Sequence, residues 1–298
     1  MATRSDYLKL HFIVFLWGFS AILGKLVLIP AMEMIFFRGL LAAGGMALVI
    51  GITKGSFRVS KSDLVRLLLI GAIVAIHWVA FFGSARISNV SVSLVGFATN
   101  SLWAALLEPW FKNQRVKKFE LLLGMVVLLG LYIIFSFDFT YHAGLALGIL
   151  AGFTSALFSV FNSRMVTRVP AFTITFYEMI GIVITLLIAL PLYSFFSEED
   201  LRLSPSLEDW IYIALLAGVC SVYAYSVAVE LMKKVSVFLI QLTLNLEPLY
   251  GIVMAVIIFG HEEKMGLNFY IGTIIILAAV ASYPLLKRKL DRPENYAS

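Results

Sequence analysis

The sequence predicts an all-α polytopic membrane protein with ten transmembrane helices in two inverted five-helix repeats. Three observations support this fold class: the composition, the spacing of the apolar runs, and a pattern that recurs between the halves. Of the 298 residues, 61% are hydrophobic and 14% are charged, whereas a soluble domain carries about 25% charged residues. Because a spanning helix needs roughly 20 apolar residues, the chain has room for spans and short loops but not for a sizeable soluble domain.

Ten apolar runs, separated by charged or turn-rich segments, define the predicted helices. They cover residues 8–28, 31–52, 64–83, 90–110, 121–137, 144–161, 172–193, 210–229, 235–259 and 267–286. The first run is too long for the core of a signal peptide, and no polar, small-residue cleavage site follows it. We therefore expect a retained helix and no targeting sequence.

The distribution of Lys and Arg predicts the orientation in the membrane, because positively charged loops stay in the cytoplasm. With the N-terminus inside, most of the 23 Lys and Arg residues fall in cytoplasmic loops. The exceptions are Lys25, Arg86, Arg202 and Lys264 in the opposite loops and Arg38 inside a helix. This asymmetry predicts a multi-pass protein of the bacterial-type inner (plasma) membrane with both termini in the cytoplasm.

A pattern of the first half recurs in the second half. The recurring pairs are Pro30 and Pro170, Arg38 and Glu178, Asp63 and Asp209, Ser91 and Ser236, and Asn100 and Asn245. Five helices per half is an odd number, so the second half has the inverted orientation. We predict one repeat in residues 1–139, a second in residues 140–290, and a short cytoplasmic tail in residues 291–298.

Arg38 and Glu178 are ionisable residues inside predicted spans, where a charge costs about 2.5 to 3.5 kcal/mol. Each lies eight residues after the proline that opens its helix, which places it roughly 12 Å deep. The two start from opposite faces, so they approach each other along the membrane normal. One interpretation is a pair around a substrate path, in which Arg38 binds a carboxylate or phosphate. The alternative is that they neutralise each other or make separate helix contacts.

Polar residues of the fourth and ninth spans lie near the predicted midplane. Asn100 and Asn245 occupy matching positions, and Gln241 lies one turn before Asn245. Glu247 directly precedes Pro248, where a proline can break the helix and free backbone groups for a binding site. We predict that Glu247 contacts substrate, whereas the two asparagines either contact it or only join helices by a hydrogen bond.

His77 lies at mid-depth in the third span, next to Trp78. Its imidazole would suit proton coupling, although such a histidine can equally be a packed hydrogen-bonding residue. Trp17, Trp78 and Tyr223 are candidates for the apolar walls of a small-molecule pocket, and their alternative role is core filler or interface anchor.

Other functional classes lack their motifs. The sequence contains no GxxxxGK[ST], GxGxxG, HExxH or GxSxG pattern, so we expect no enzyme activity, no cofactor and no metal site. The single cysteine, Cys220, excludes an intrachain disulfide. The alternatives are an intramembrane enzyme or binding protein for a lipid-linked substrate, and a passive channel. No nucleic-acid partner is implied.

Glycines at residues 144, 148 and 152 have the GxxxG spacing that permits close helix contact. We expect this stripe to pack helices within one chain.

Several local patterns together resemble the EamA family of the drug/metabolite transporter superfamily. They are Trp17-Gly18-Phe19-Ser20, the stretch from Pro30 to Arg38 with its repeat from Pro170 to Glu178, and Leu246-Glu247-Pro248 running to Gly260-His261-Glu262-Glu263 before Gly272. The first half departs from the family pattern, with Lys112, Asn113 and Gln114 where an acid is expected.

The resemblance implies secondary transport, often export, of small metabolites such as amino acids, through a central cavity between the halves. We therefore predict a secondary-active metabolite exporter that works by alternating access in a lipid bilayer. The predicted substrate-binding residues are Arg38, Glu178, Asn245, Glu247, Asn100, Gln241, Trp17, Trp78 and Tyr223, with His77 as the candidate proton carrier.

Overall fold

The computed structural model describes residues 2–135, 139–197, 200–260 and 266–290, and within these ranges the regular structure is helical. The helices are α1 (Arg4–Gly18), α2 (Ser20–Leu26), α3 (Ala31–Ile52), α4 (Lys61–Ile87), α5 (Val90–Phe97), α6 (Asn100–Phe111), α7 (Lys118–Phe135), α8 (His142–Met165), α9 (Ala171–Ser197), α10 (Leu207–Leu215), α11 (Ser226–Leu231), α12 (Val237–Leu244), α13 (Glu247–Phe259) and α14 (Leu267–Leu290). A 3-10 turn, Phe139–Tyr141, precedes α8, and a π-helix, Leu216–Tyr225, joins α10 to α11.

Seven helical segments of the described ranges are long and apolar enough to cross a membrane. They are Arg4–Leu26, Ala31–Ile52, Lys61–Ile87, Val90–Phe111, His142–Met165, Ala171–Phe196 and Leu207–Leu231. Each coincides with one of the predicted runs. The other three runs correspond to α7, to α12 with α13, and to α14, so the exact number of ten spans stays a prediction. Residues 261–265 of the family-like pattern and the predicted tail, 291–298, lie outside the described residues.

The two helices at matching positions of the halves begin with the same cap. The hydroxyl of Ser60 accepts the backbone N–H of Asp63 at the start of α4, and the hydroxyl of Ser206 accepts that of Asp209 at the start of α10. Such caps satisfy backbone donors that a helix start leaves unpaired. The predicted correspondence between Asp63 and Asp209 is therefore also a structural one.

Two spans are interrupted in the middle and cross each other there. The fourth predicted span breaks at Ala98 and Thr99, between α5 and α6, and the ninth breaks at Asn245 and Leu246, between α12 and α13. Helix α5 packs on α13 while α6 packs on α12, so the two broken spans run antiparallel. This is the arrangement expected of equivalent helices in inverted halves.

Helix α8 carries the glycine stripe and packs closely within the chain, as the sequence predicts. A Cβ on Gly148 would lie 3.0 Å from the Cα of Gly96, and one on Gly144 would meet the side chain of Ser88. Helix α8 thereby contacts α4, α5 and α6. Because α8 belongs to the second half and its neighbours to the first, the stripe joins the two halves around the broken α5–α6 span.

The two ends of the bundle differ in charge. We call the end where α1 and α4 begin and where α6 and α8 end the basic face; Arg66, Lys112, Arg164 and Arg168 lie there. The opposite face holds the 27–30 loop, the end of α4 and the start of α10. The sequence predicts that the basic face is cytoplasmic.

Candidate functional site

A cavity of about 70 Å³ lies in the interior, between the two halves. Its walls come from α1 to α5, α8, the π-helix, α11, α12 and the start of α13. They include five predicted site residues: Trp17, Arg38, His77, Trp78 and Glu247. The remaining wall is largely apolar and aromatic, which is the usual composition of a small-molecule site.

Arg38 supplies the positive charge of the cavity. Its side chain is 3% exposed, and its guanidinium carbon lies 3.8 Å above the centre of the Trp78 ring. The Nε atom donates a 2.9 Å hydrogen bond to the hydroxyl of Ser221. Among the described residues, no carboxylate forms an ion pair with Arg38. Stacking and one hydrogen bond therefore orient the guanidinium while its charge stays unneutralised.

Glu247 supplies an acidic side chain to the cavity wall. It is the first residue of α13, directly after the break at Asn245 and Leu246, and is 4% exposed. Its carboxylate lines the cavity without a hydrogen bond or ion pair to any residue in the described ranges. The N-terminus of α13 offers a partially positive environment for this carboxylate. The break thus places an acid at the cavity wall, as Pro248 in the sequence suggested.

His77 and three phenylalanines form the aromatic part of the wall. The imidazole lies 5.4 Å from the ring of Phe158, 5.7 Å from Phe97 and 6.1 Å from Phe81, measured between ring centres. Nδ1 lies 2.8 Å from the backbone oxygen of Ala151. A carbonyl oxygen can only accept, so Nδ1 carries a hydrogen and Nε2 is the nitrogen that can take up a further proton.

The π-helix shapes the side of the cavity next to Arg38. A π-helix of this length is unusual, and π-helical turns are frequent at functional sites. Ser221 bonds back to the oxygen of Leu216 at 3.1 Å while accepting from Arg38. The indole N–H of Trp17 donates to the backbone oxygen of Cys220 at 3.0 Å. The widened helix therefore offers a backbone acceptor to α1 and a hydroxyl to α3.

Glu178 does not reach the cavity, and the predicted pair with Arg38 is absent. Its Oε2 accepts hydrogen bonds from Tyr225 at 2.7 Å and from the amide of Asn162 at 3.3 Å. Tyr225 lines the cavity, so Glu178 lies behind that wall. The two charges were expected at similar depth, but depth along the membrane normal does not fix their lateral separation. The open alternative, separate helix contacts, describes this structure.

Gln241 also lies outside the cavity. Its amide nitrogen donates to the hydroxyl of Ser159 at 2.8 Å and to the backbone oxygen of Ser155 at 3.2 Å, and its Oε1 accepts from the hydroxyl of Ser155 at 3.3 Å. The two serines line the cavity. Gln241 therefore lies outside the cavity and orients the side chains of Ser155 and Ser159 on α8.

The two asparagines lie at the breaks but not in the cavity wall. Asn245 donates to the hydroxyl of Ser101 at 2.8 Å, which joins the two broken spans. Asn100 is fully buried, and neither its amide nitrogen nor its oxygen has a hydrogen-bond partner among the described residues. The joining role that the sequence left open thus fits Asn245, whereas Asn100 holds unused hydrogen-bonding capacity.

Tyr223 points away from the site. It is 45% exposed and lies edge-on to Phe12, with 6.3 Å between ring centres. It borders a separate pocket at the basic face together with Asp6 and Lys234. The structure therefore does not bring Tyr223 to the cavity, and its surroundings fit the alternative role of an interface aromatic.

Several site residues could not be identified from the sequence. They are Ser155 and Ser159 of α8, Ser221 and Tyr225 of the π-helix, and Asn162 behind them. One signal was present: Ser155, Ser159 and Asn162 follow each other at spacings of four and three residues, which marks one face of a helix. The π-helix has no such signal, because the segment contains no proline and only one glycine.

Comparison with known proteins identifies the family. The model of the EamA-like transporter family matches residues 7–136 and again residues 142–283. The chain belongs to the EamA-like transporter family. This EamA-like chain is thus a multi-pass membrane protein of a transporter family within the drug/metabolite transporter superfamily.

The fold of this EamA-like transporter also occurs in a solved structure. It is similar to a protein of known crystal structure, with a TM-score of 0.71 and 16% identity, over 97% of this chain and 100% of the other. That likeness shows a shared fold. No curated protein matches the chain.

Within the described residues, no group of three or more His, Cys, Asp or Glu side chains could hold a metal ion.

Proposed function

We propose that the protein is a secondary-active transporter that exports a small zwitterionic metabolite, such as an amino acid, by alternating access. One observation carries this proposal: Arg38 and Glu247 line the same buried cavity with opposite charges, and neither is in an ion pair with a described residue. Burying a charge without a partner is costly. A solute that carries both charges would neutralise both side chains at once.

The chemistry of the walls supports the division of roles. Arg38 would hold the carboxylate, because a guanidinium presents parallel donors to two oxygens. Glu247 would hold the ammonium group. Phe81, Phe97 and Phe158 would cover the apolar part of the solute. Specificity would then require both charges and an apolar body.

The size of the cavity supports a moving structure. A volume of about 70 Å³ has room for a few water molecules, since one needs about 10 to 15 Å³, but it is too narrow for a metabolite. Binding therefore requires the halves to move apart around the crossing of the broken spans. Rocking of two repeats around a central site is the usual form of alternating access.

The membrane location and the coupling to protons complete the proposal. The excess of Lys and Arg at the basic face favours the inner membrane with both termini in the cytoplasm. His77 is the proposed proton carrier, with Nε2 as the titrating atom, because Nδ1 is engaged by Ala151. Replacing His77 by Asn should retain solute binding and abolish the dependence of transport on a proton gradient in vesicles; unchanged dependence would remove His77 from this role.

The experiment that tests the function compares matched ligands. Amino acids, the amines that lack the carboxylate, and the acids that lack the ammonium group are screened by thermal shift, because a ligand of the folded state raises its apparent stability. We expect stabilisation by the zwitterion only. It should be lost in Arg38→Ala and in Glu247→Gln but retained in Glu178→Gln, which lies behind the wall.

Transport of the identified amino acid into vesicles is then measured with the same variants. Wild-type transport by Glu247→Gln would refute the assignment of that carboxylate. Stabilisation by lipid-linked compounds, with no amino acid bound, would instead support the alternative of an intramembrane enzyme or binding protein for a lipid-linked substrate.

A further inference from the structure

A second pocket, of about 930 Å³, opens at the basic face below the central cavity. Its walls come from α4, the end of α6, the end of α8 and the segment between α11 and α12. Among the described residues, Met232 alone lines both this pocket and the central cavity. Met232 therefore lies in the partition between them.

The walls of this pocket are apolar and its rim is cationic. Arg66, Lys112, Arg164 and Arg168 belong to its lining. Asp63 pairs with Arg66 at 3.4 Å and with Arg168 at 2.9 Å, and Glu108 pairs with Lys112 at 2.6 Å. Two carboxylates thus serve three of the cations. Arg164 has no ion-pair partner among the described residues, so the rim keeps a positive excess that attracts anions.

Met232 and Arg86 lie at comparable places in the two halves and differ in chemistry. Met232 lies 26 residues after Ser206, the cap of α10, and Arg86 lies 26 residues after Ser60, the cap of α4. Both residues therefore lie near the ends of corresponding spans, at opposite faces. One carries a flexible thioether and the other a guanidinium.

Arg86 closes the opposite face firmly. Its guanidinium donates to the backbone oxygens of Ile29 at 2.6 Å, Val27 at 3.1 Å and Gly24 at 3.2 Å, which tie the end of α4 to the end of α2 and its loop. Asp209 adds a 2.6 Å bond from the N–H of Leu28. Charge-assisted bonds of this kind are about twice as strong as neutral ones.

The contacts that close the basic face are weaker than those of Arg86. There Asp63 holds the 166–170 loop through Arg168, whose side chain is 46% exposed, and an exposed pair contributes about 0 to 1 kcal/mol. Met232 offers no donor to that loop, and an unbranched thioether changes rotamer readily. The described conformation is thus closed by a polar lock at one face and, at the other, by an exposed ion pair and apolar packing that includes Met232.

We propose that the cationic pocket is a loading site for carboxylate-bearing solutes at the basic face, that Met232 is its gate to Arg38, and that Arg86 is the lock of the opposite face. This rests on the proposed function, because it names where that solute first binds. A carboxylate would be drawn to the rim near Arg164, pass Met232 and reach the guanidinium of Arg38. The resting protein would then load from the basic face.

Cysteine modification tests the loading site without any substrate. In the Cys220→Ser background, Met232→Cys is modified from the basic face by two membrane-impermeant thiol reagents, one bearing a sulfonate and one a trimethylammonium group. The sulfonate stands in for a carboxylate and should react faster. Arg164→Gln removes one charge of the rim and should lower this preference several-fold. No preference, or one unchanged by Arg164→Gln, would overturn the site.

The native Cys220 tests the two gates. It lies in the central cavity, beyond Met232. From the basic face it should react faster in Met232→Ala, which shortens the gate, and slower in Met232→Phe, which enlarges it. Misfolding would not change the two rates in opposite directions. From the opposite face it should react only after Arg86→Met. The control is Ser5→Cys, because Ser5 is exposed at the start of α1 on the basic face. Its reaction with the impermeant reagent shows which face is accessible in each preparation.

The gating proposal is refuted if wild-type Cys220 reacts equally from both faces, or if Arg86→Met changes nothing. These rates require neither transport nor a known substrate. Failure of the gates is therefore distinguishable from failure of the proposed transport function.

Discussion

The close contact between α5 and α8 allows a quantitative prediction for Gly148→Ala. An added Cβ would lie 3.0 Å from the Cα of Gly96 and 3.1 Å from the backbone oxygen of Ser93. Carbon atoms in contact are normally about 3.5 to 4.0 Å apart, so the helices must separate by about 0.5 to 1 Å. Both neighbours are backbone atoms that cannot rotate away, so overpacking should cost about 2 to 3 kcal/mol. Alanine recovers about 0.5 to 1 kcal/mol of helix propensity, for a net loss of about 1 to 2.5 kcal/mol.

The control for this prediction is Gly44→Ala. Gly44 lies in α3 with no atom within 4 Å of an added Cβ, so only the gain in helix propensity applies and the variant should be more stable by about 0.5 to 1 kcal/mol. The free energy of unfolding is measured in mixed detergent micelles by titration with SDS. If Gly148→Ala were as stable as the wild type, the two helices would not be in the contact described here.

The same substitution should weaken ligand binding. Gly96 precedes Phe97, an aromatic residue of the cavity wall, and the break at Ala98 follows directly. Displacing α5 moves this wall, so Gly148→Ala should lower the thermal shift produced by a bound solute, whereas Gly44→Ala should leave that shift unchanged.

Three further predictions concern single side chains. Glu108→Ala removes the acceptor of the backbone N–H of Phe238 at 2.7 Å and should destabilise the protein by about 1 to 3 kcal/mol, which SDS titration would detect; an unchanged midpoint would contradict this capping role. Asn100→Leu replaces two unpartnered amide atoms and should raise or preserve stability; a loss of transport in this stable variant would show that the amide has a functional role. Trp78→Leu removes the ring under Arg38 and should weaken solute binding in a thermal-shift titration; equal affinity would show that stacking does not position the guanidinium.

The helical fold and the location of its spans could be predicted because hydropathy follows directly from composition along the chain. The close packing of the glycine stripe of α8 could also be predicted, because close helix contact depends on small side chains at a fixed spacing. The break beside Glu247 followed from Pro248. In each case a local property of the sequence determines the structural feature.

Lateral position could not be predicted in the same way. Arg38 and Glu178 were expected at similar depth, yet Tyr225 separates Glu178 from the cavity. The π-helix was also unpredictable, because its wider turn changes which side chains share a face. Ser221 and Tyr225 therefore point into the site from a segment that ordinary helical spacing would describe differently.

The pairing of α7 with α14 has a consequence for how the protein is made. The two helices pack along each other, and a Cβ on Gly130 would lie 2.8 Å from the backbone oxygen of Gly272. Ribosomes add about 5 to 20 residues per second, so α7 waits roughly ten to thirty seconds for its partner. Throughout that interval its contact face is open to lipid, to insertion factors and to membrane proteases. Quality control during synthesis therefore has a long window on α7, and chains that stop before residue 267 would keep that window open.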